Sequence, residues 1–154
     1  YREAEHQNVI SSIFNTCRNM MFGIIKKTIY IKNGFGVFMG VQVLVATMNQ
    51  NDHSLIKKMN IKSDAIVGNQ ADFNLVERFK YKDNDITYLN FDEKGVGLNR
   101  NNSLMRATGD FCLFADDDMI YVDDYVTIVE NAFKKIPNAD VIVFNLVEQN
   151  LEDI

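Results

Sequence analysis

The chain has 154 residues, 47% of them apolar and 24% charged, which suits one globular domain with a real core and excludes a disordered chain. Its net charge of -5 is unevenly spread: the first 109 residues carry fourteen basic and ten acidic side chains, net +4, and the last 45 carry two basic and eleven acidic, net -9. A negative field confined to the last third disfavours a nucleic-acid partner, which needs a basic stripe, and suits a bound cation.

Residues 1–31 place apolar side chains at Val9, Ile10, Ile13, Phe14, Cys17, Met20, Met21, Ile24 and Ile25. Their three-and-four spacing predicts one amphipathic helix, packing on the rest of the protein or on a second copy as a homodimer. Lys26 and Lys27 leave a membrane-surface contact as the other use of that face. Asn33, Gly34 and Gly36 read as a joint, which divides the chain into a helical extension, 1–36, and a main domain, 37–154. The chain opens on Tyr1 without a secretory signal pattern, so a trimmed or partial chain is expected. Cys17 and Cys112 show no C-x-x-C or His-rich spacing, which argues against a disulfide framework or a zinc site and points to a cytoplasmic setting, peripheral to the inner membrane face if the helix binds there.

From residue 37 the pattern changes to short apolar runs. Strands are predicted at 41–46 (VQVLVA), 64–67 (DAIV), 86–91 (ITYLNF), 111–115 (FCLFA) and 141–145 (VIVFN). Continuous apolar runs are what parallel strands buried on both faces require. Helices are predicted between them at 53–60 behind the capping Asp52, at 73–79, at 98–107, and at 124–135 before Pro137. Alternating strand and helix implies an α/β fold with a mainly parallel sheet, whose ligands sit beyond the carboxyl ends of the strands.

At such an end stand Asp116, Asp117 and Asp118. Three adjacent carboxylates repel one another unless a cation neutralises them, and hard Mg2+ or Mn2+ needs only one or two carboxylates when phosphate oxygens and water complete its shell. Extended backbone places Asp116 and Asp118 on one side, able to share a metal and ribose site, and Asp117 on the other. The bland alternative, an acidic cap for the following helix, is already served by Asp123 or Asp124. An EF-hand begun at Asp116 fails, because it would need Gly at Tyr121 and Glu at Thr127. No phosphate loop of the G-x-x-x-x-G-K-[ST] type exists, and Gly34-x-Gly36 precedes the first strand, so it is no dinucleotide fingerprint.

Residues 95–124, GVGLNRNNSLMRATGDFCLFADDDMIYVDD, contain Gly97, Arg100-Asn101, Ala107, Gly109-Asp110, an apolar strand and the triplet. These spacings resemble the glycosyltransferase family 2 segment of the GT-A fold, which runs Gly, Ala-Arg-Asn, helix, Ala-x-Gly-Asp/Glu, strand and D-x-D. Asn99 stands where the family has a small residue. Upstream, Thr47, Met48 and Asn49 occupy the Thr/Pro-x-Tyr/Phe-Asn turn under the nucleotide base, with Met48 for the aromatic. Asn69 and Asp72 fall in the Asp-Asp-x-Ser-x-Asp stretch that reads the base.

The resemblance implies a GT-A fold, a Rossmann-like mainly parallel sheet flanked by helices. It implies a nucleoside-diphosphate-sugar donor contacted by Thr47, Asn49, Asn69, Asp72, Arg100, Asn101, Asp116 and Asp117, with Mn2+ or Mg2+ on Asp116 and Asp118. Asp116-x-Asp118 and Asp117-Asp118 both remain as metal registers, with Asp118 common to the two. The reaction implied is inverting transfer to the hydroxyl of an unknown sugar or lipid-linked acceptor, in polysaccharide or glycoconjugate synthesis. Only 36 residues follow Asp118, and Glu148, Glu152 and Asp153 read as a solvated tail, so no catalytic base is assigned and the acceptor-binding half is expected to be missing. Two other readings stay open: a truncated, non-catalytic donor-binding module, and a nucleotidyltransferase, whose usual Gly-rich, Lys/Arg-bearing loop is absent from MNQNDHS.

Overall fold

The computed structural model describes residues 24–26, as backbone only, and 40–144. Among them one mixed sheet contains β1 (Ile24–Lys26), β2 (Val41–Met48), β3 (Asp64–Gln70), β4 (Leu75–Tyr81), β5 (Asn84–Phe91), β6 (Phe111–Asp116) and β7 (Val141–Ile142). The helices are α1 (Ser54–Lys58), α2 (Val96–Arg106) and α3 (Tyr125–Lys135). The strand order is β4-β5-β3-β2-β6-β1-β7. The central four, β5, β3, β2 and β6, run parallel, and β4 and β1 pair antiparallel to their neighbours. The fold is thus the α/β, mainly parallel sheet flanked by helices that the apolar runs predict.

Alternation along the strands divides the core between two faces. Val41, Val43, Val45, Ala65, Val67, Ile86, Tyr88, Phe111, Leu113 and Ala115 face α1 and α3, where Leu55, Ile56, Val129 and Phe133 cover them. Phe111 and Phe133 stack with centroids 4.6 Å apart. Leu44, Ile66, Leu89, Phe91, Cys112 and Phe114 face the other way, beneath Leu104 and Ala107 at the end of α2. The first helix has His53 at its N-cap without a side-chain cap bond, so Asp52, the expected cap, stands one residue too early. Its Oδ1 accepts the Ser54 N–H at 2.8 Å in the turn that leads in, and the helix stops where Asn60 turns left-handed with φ 56°. Asp124 occupies the N-cap position of α3 but makes no side-chain cap bond, and Asp123 pairs with Lys62 and Asn60 instead, so neither carboxylate caps α3 as expected.

Residues 73–79, predicted helical, fall largely in β4 instead. Glu77, Phe79 and Tyr81 alternate toward the partly buried face, a period of two. The two-residue turn at Lys82 and Asp83 folds β4 back onto β5, with Tyr81 opposite Asn84. A run containing Phe73, Val76 and Phe79 suits either period; the unpaired edge of β5 and the tight turn decide for a strand.

The predicted amphipathic helix, 1–31, and the joint at 33–36 lie outside the described residues, apart from Ile24–Lys26. Those three residues pair antiparallel with β6 and β7, and so form a strand rather than part of a helix. Asn145, the predicted end of the last strand, also lies outside the described residues.

Candidate functional site

All four parallel strands end at one edge of the sheet, and this edge collects most of the residues singled out from the sequence. The acidic triplet sits where β6 ends: Asp116 is its last residue, and Asp117 and Asp118 form a turn. Because the strand keeps its alternation to its last residue, Asp116 emerges on the α2 side, where its Oδ1 accepts from Arg100 Nη2 at 2.6 Å. Asp117 turns the other way, and its Oδ2 accepts the Thr47 hydroxyl at 2.5 Å. The hydroxyl in turn accepts from Gln50 Nε2 at 2.9 Å. Asp118 is exposed.

Arg100 reaches the triplet because α2 begins just past the end of β5. Asn99 precedes it, wholly buried, and donates from Nδ2 to the carbonyls of Gly68 (2.7 Å) and Thr47 (3.2 Å). Gly109, part of the predicted pattern, packs where a Cβ would come 2.6 Å from that of Gln42. Gln42 Oε1 accepts from the Thr108 and Gly109 N–H groups. At Gly97 a Cβ would meet open space, and packing offers no account of that glycine.

On the opposite face a polar layer supports the loop after β2. Asn69, 0% exposed, accepts the Gln50 N–H on Oδ1 and donates from Nδ2 to the Gln50 carbonyl and to Asn90 Oδ1. Asn90 donates onward to Glu77 Oε2 at 3.3 Å, and His53 Nε2 lies 3.4 Å from the same oxygen. His53 stacks on Phe79 at 4.4 Å and meets Tyr88 at 4.7 Å. Burial, reinforced by the nearby carboxylates Asp52, Glu77 and Asp117, pushes the Tyr88 phenol up to about 12.

The predicted residues therefore divide into groups. Thr47, Arg100, Asp116 and Asp117 are joined by direct hydrogen bonds at the strand ends. Asn49 lies beside them in a left-handed conformation, φ 54°, its N–H bonded to the Gln70 carbonyl and its side chain exposed. Asn69 is at the same edge, but both ends of its amide are committed inside the protein, which makes it a support for Gln50. Asp72 is exposed in the loop before β4, and Asn101 is exposed on α2. Sequence reasoning missed Asn99, Gln50, Asn90 and Glu77. A buried amide announces itself by no periodicity; the one signal was Asn99 at a position where the family has a small residue.

Carboxylate oxygens are the right donors for a hard divalent cation. One oxygen of Asp116 and one of Asp117 are already engaged, and among the described residues no group of three or more His, Cys, Asp or Glu converges on a point. Such a donor set fits a cation shared with phosphate oxygens rather than one closed in a protein cage.

Among the described residues no helix is long and apolar enough to cross a membrane. Neither a curated protein nor a solved structure matches the chain. Residues 71–152, 82 of the 154, match the family model described as glycosyl transferase family 2. The matched stretch takes in Arg100, Asp116, Asp117 and Asp118, while Thr47 and Asn69 lie before it. With more than half of its length in that match, and with the parallel sheet and strand-end carboxylates already described, the chain belongs to glycosyl transferase family 2.

Proposed function

We propose that the chain binds a nucleoside-diphosphate sugar at the carboxyl ends of β2, β3, β5 and β6 and takes part in inverting transfer of the sugar to an acceptor hydroxyl, in polysaccharide or glycoconjugate assembly. The observation that carries this reading is the pairing of Arg100 with Asp116 and of Thr47 with Asp117 at one sheet edge, two carboxylates held in place by their partners. Arg100 is a fixed cation beside that edge; its guanidinium matches phosphate oxygens as well as carboxylate. Thr47 fixes one oxygen of Asp117 and leaves the other for the donor's ribose. In this reading Asn49 and the loop held by Asn69 would border the base, and Asp72 and Asn101, both exposed, would contact other parts of the donor.

Mn2+ or Mg2+ held by Asp118 together with Asp116, or with Asp117, would stabilise the negative charge that develops on the leaving diphosphate. Exposed Asp118 has no hydrogen-bond duty among the described residues that such binding would disturb.

Calorimetric titration with UDP, GDP, CDP and dTDP, each with and without Mn2+, tests the site. At least one nucleotide should bind, with metal required, and Asp118→Asn should weaken binding by about tenfold or more. Equal affinity without metal, or an unaffected Asp118→Asn variant, would overturn the assignment. Release of free sugar from the matching donor in the same solutions would separate a catalyst from a non-catalytic donor-binding module.

A further inference from the structure

Asn99 is fully buried one residue before Arg100, on the face of α2 that lies against the sheet. Its Nδ2 bridges the carbonyls of Thr47 on β2 and Gly68 on β3, thereby tying the helix to both strands at their site ends. The fit is close: a Cβ built on Gly68 would come 1.9 Å from Asn99 Oδ1 and 3.0 Å from Ser103 Oγ. Any side chain at position 68 would thus displace the amide.

The clamp has an energetic cost. Among the described residues, Asn99 Oδ1 and Ser103 Oγ are buried without a hydrogen-bond partner, and a buried orphan oxygen destabilises the fold. Alanine at position 99 would relieve one orphan acceptor but deprive two carbonyls of a donor, a net cost to stability, yet stability does not account for why the amide sits between these two carbonyls. Geometry explains it better. Thr47, whose carbonyl the clamp holds, uses its hydroxyl to hold Asp117, and the residue after Asn99 holds Asp116.

We propose that Asn99, seated in the space left by Gly68, is a positioning residue that sets the register of α2 against β2 and β3 and so aims Arg100 at Asp116 and Thr47 at Asp117. This rests on the donor-site reading above. Asn99 touches neither donor nor acceptor; it acts through its neighbours, as small misplacements of binding groups carry large penalties.

The test is a double-mutant cycle on the 154-residue chain, using whichever of UDP, GDP, CDP and dTDP the wild type binds best with Mn2+. Asn99→Ala and Arg100→Ala should each weaken binding by about tenfold or more, and the double variant should bind about as the weaker single one does, because a misaimed Arg100 has little left to lose. Asn99→Ala should also lower the thermal midpoint, so binding is measured well below it, where wild type and variants are all folded. Losses that multiply in the double variant, or unchanged binding by Asn99→Ala, would overturn the proposal. If Asn99→Ala does not fold, Asn99→Ser takes its place with an intermediate loss, since its hydroxyl reaches at most one carbonyl.

A ligand-free arm tests the packing alone. Gly68→Ala should lower the thermal midpoint of the wild type and lower that of Asn99→Ala much less; equal drops in both backgrounds would overturn the fit between the two positions. A wild type that binds none of the four nucleotides would instead sink the donor-site reading, and this proposal with it.

Discussion

Two buried tyrosines, four residues apart, show how a single hydroxyl's partner determines its worth. Tyr125 Oη lies 2.7 Å from Ser63 Oγ and accepts the Lys62 N–H at 3.1 Å. Tyr121 packs against it with centroids 4.5 Å apart and rings tilted by 30°, yet among the described residues its own Oη is buried without a partner. Burial first, then the neighbouring Tyr125 and Asp116, pushes the Tyr121 phenol upward. The same substitution should therefore act in opposite directions. Tyr125→Phe should cost about 1 to 2 kcal/mol, and Tyr121→Phe should leave stability unchanged or raise it by up to about 1 kcal/mol. Urea denaturation of the two variants decides the matter; a clear loss in Tyr121→Phe would mean that its hydroxyl has a partner after all.

At the scale of elements, β4 makes the difference between a generic parallel sheet and this one. It brings Glu77 and Phe79 to His53, at the far end of the loop that leaves β2, so the hairpin shapes the site edge from the side. Its turn carries a local strain: Lys82 has φ 54°, a region that costs a residue with a Cβ and suits glycine at the first position of a two-residue hairpin. Lys82→Gly should raise stability by about 0.5 to 1 kcal/mol, read as a higher thermal midpoint. Phe79→Ala should lower it by about 2 kcal/mol through lost packing, and it should loosen the loop at His53, seen as faster amide exchange at residues 49–53.

The whole molecule has a predicted upper pH limit. Tyr88, Tyr121 and Tyr125 all have phenols raised above their ordinary value near 10, chiefly by burial, Tyr88 to about 12. Below pH 10 the folded and unfolded chains both keep these protons, and the stabilisation is complete. Above it the unfolded chain releases them first, so stability falls as pH rises toward the folded-state values. Tyrosinate absorbance should therefore rise in step with loss of circular dichroism on alkaline titration, and a Tyr88→Phe variant should withstand a higher pH. Early, fold-independent ionisation of all six tyrosines would overturn this account.

The parallel strands and the place of the triplet at a strand's carboxyl end were legible in the sequence. A strand buried on both faces tolerates few polar side chains, and 41–46, 64–67, 86–91 and 111–115 are mostly apolar, with Gln42, Asp64, Thr87 and Asn90 as the exceptions. The helices after β2, β5 and β6 followed from the alternation those strands impose. Only the tertiary structure decided what depends on neighbours distant in sequence. Thr47 meets Asp117 across 70 residues, Asn99 meets Gly68 across 31, and Asn69 spends its amide on Gln50 and Asn90 rather than on solvent. The short run at 75–81 became a strand because β5 had a free edge beside it, and no property of the run itself required that choice.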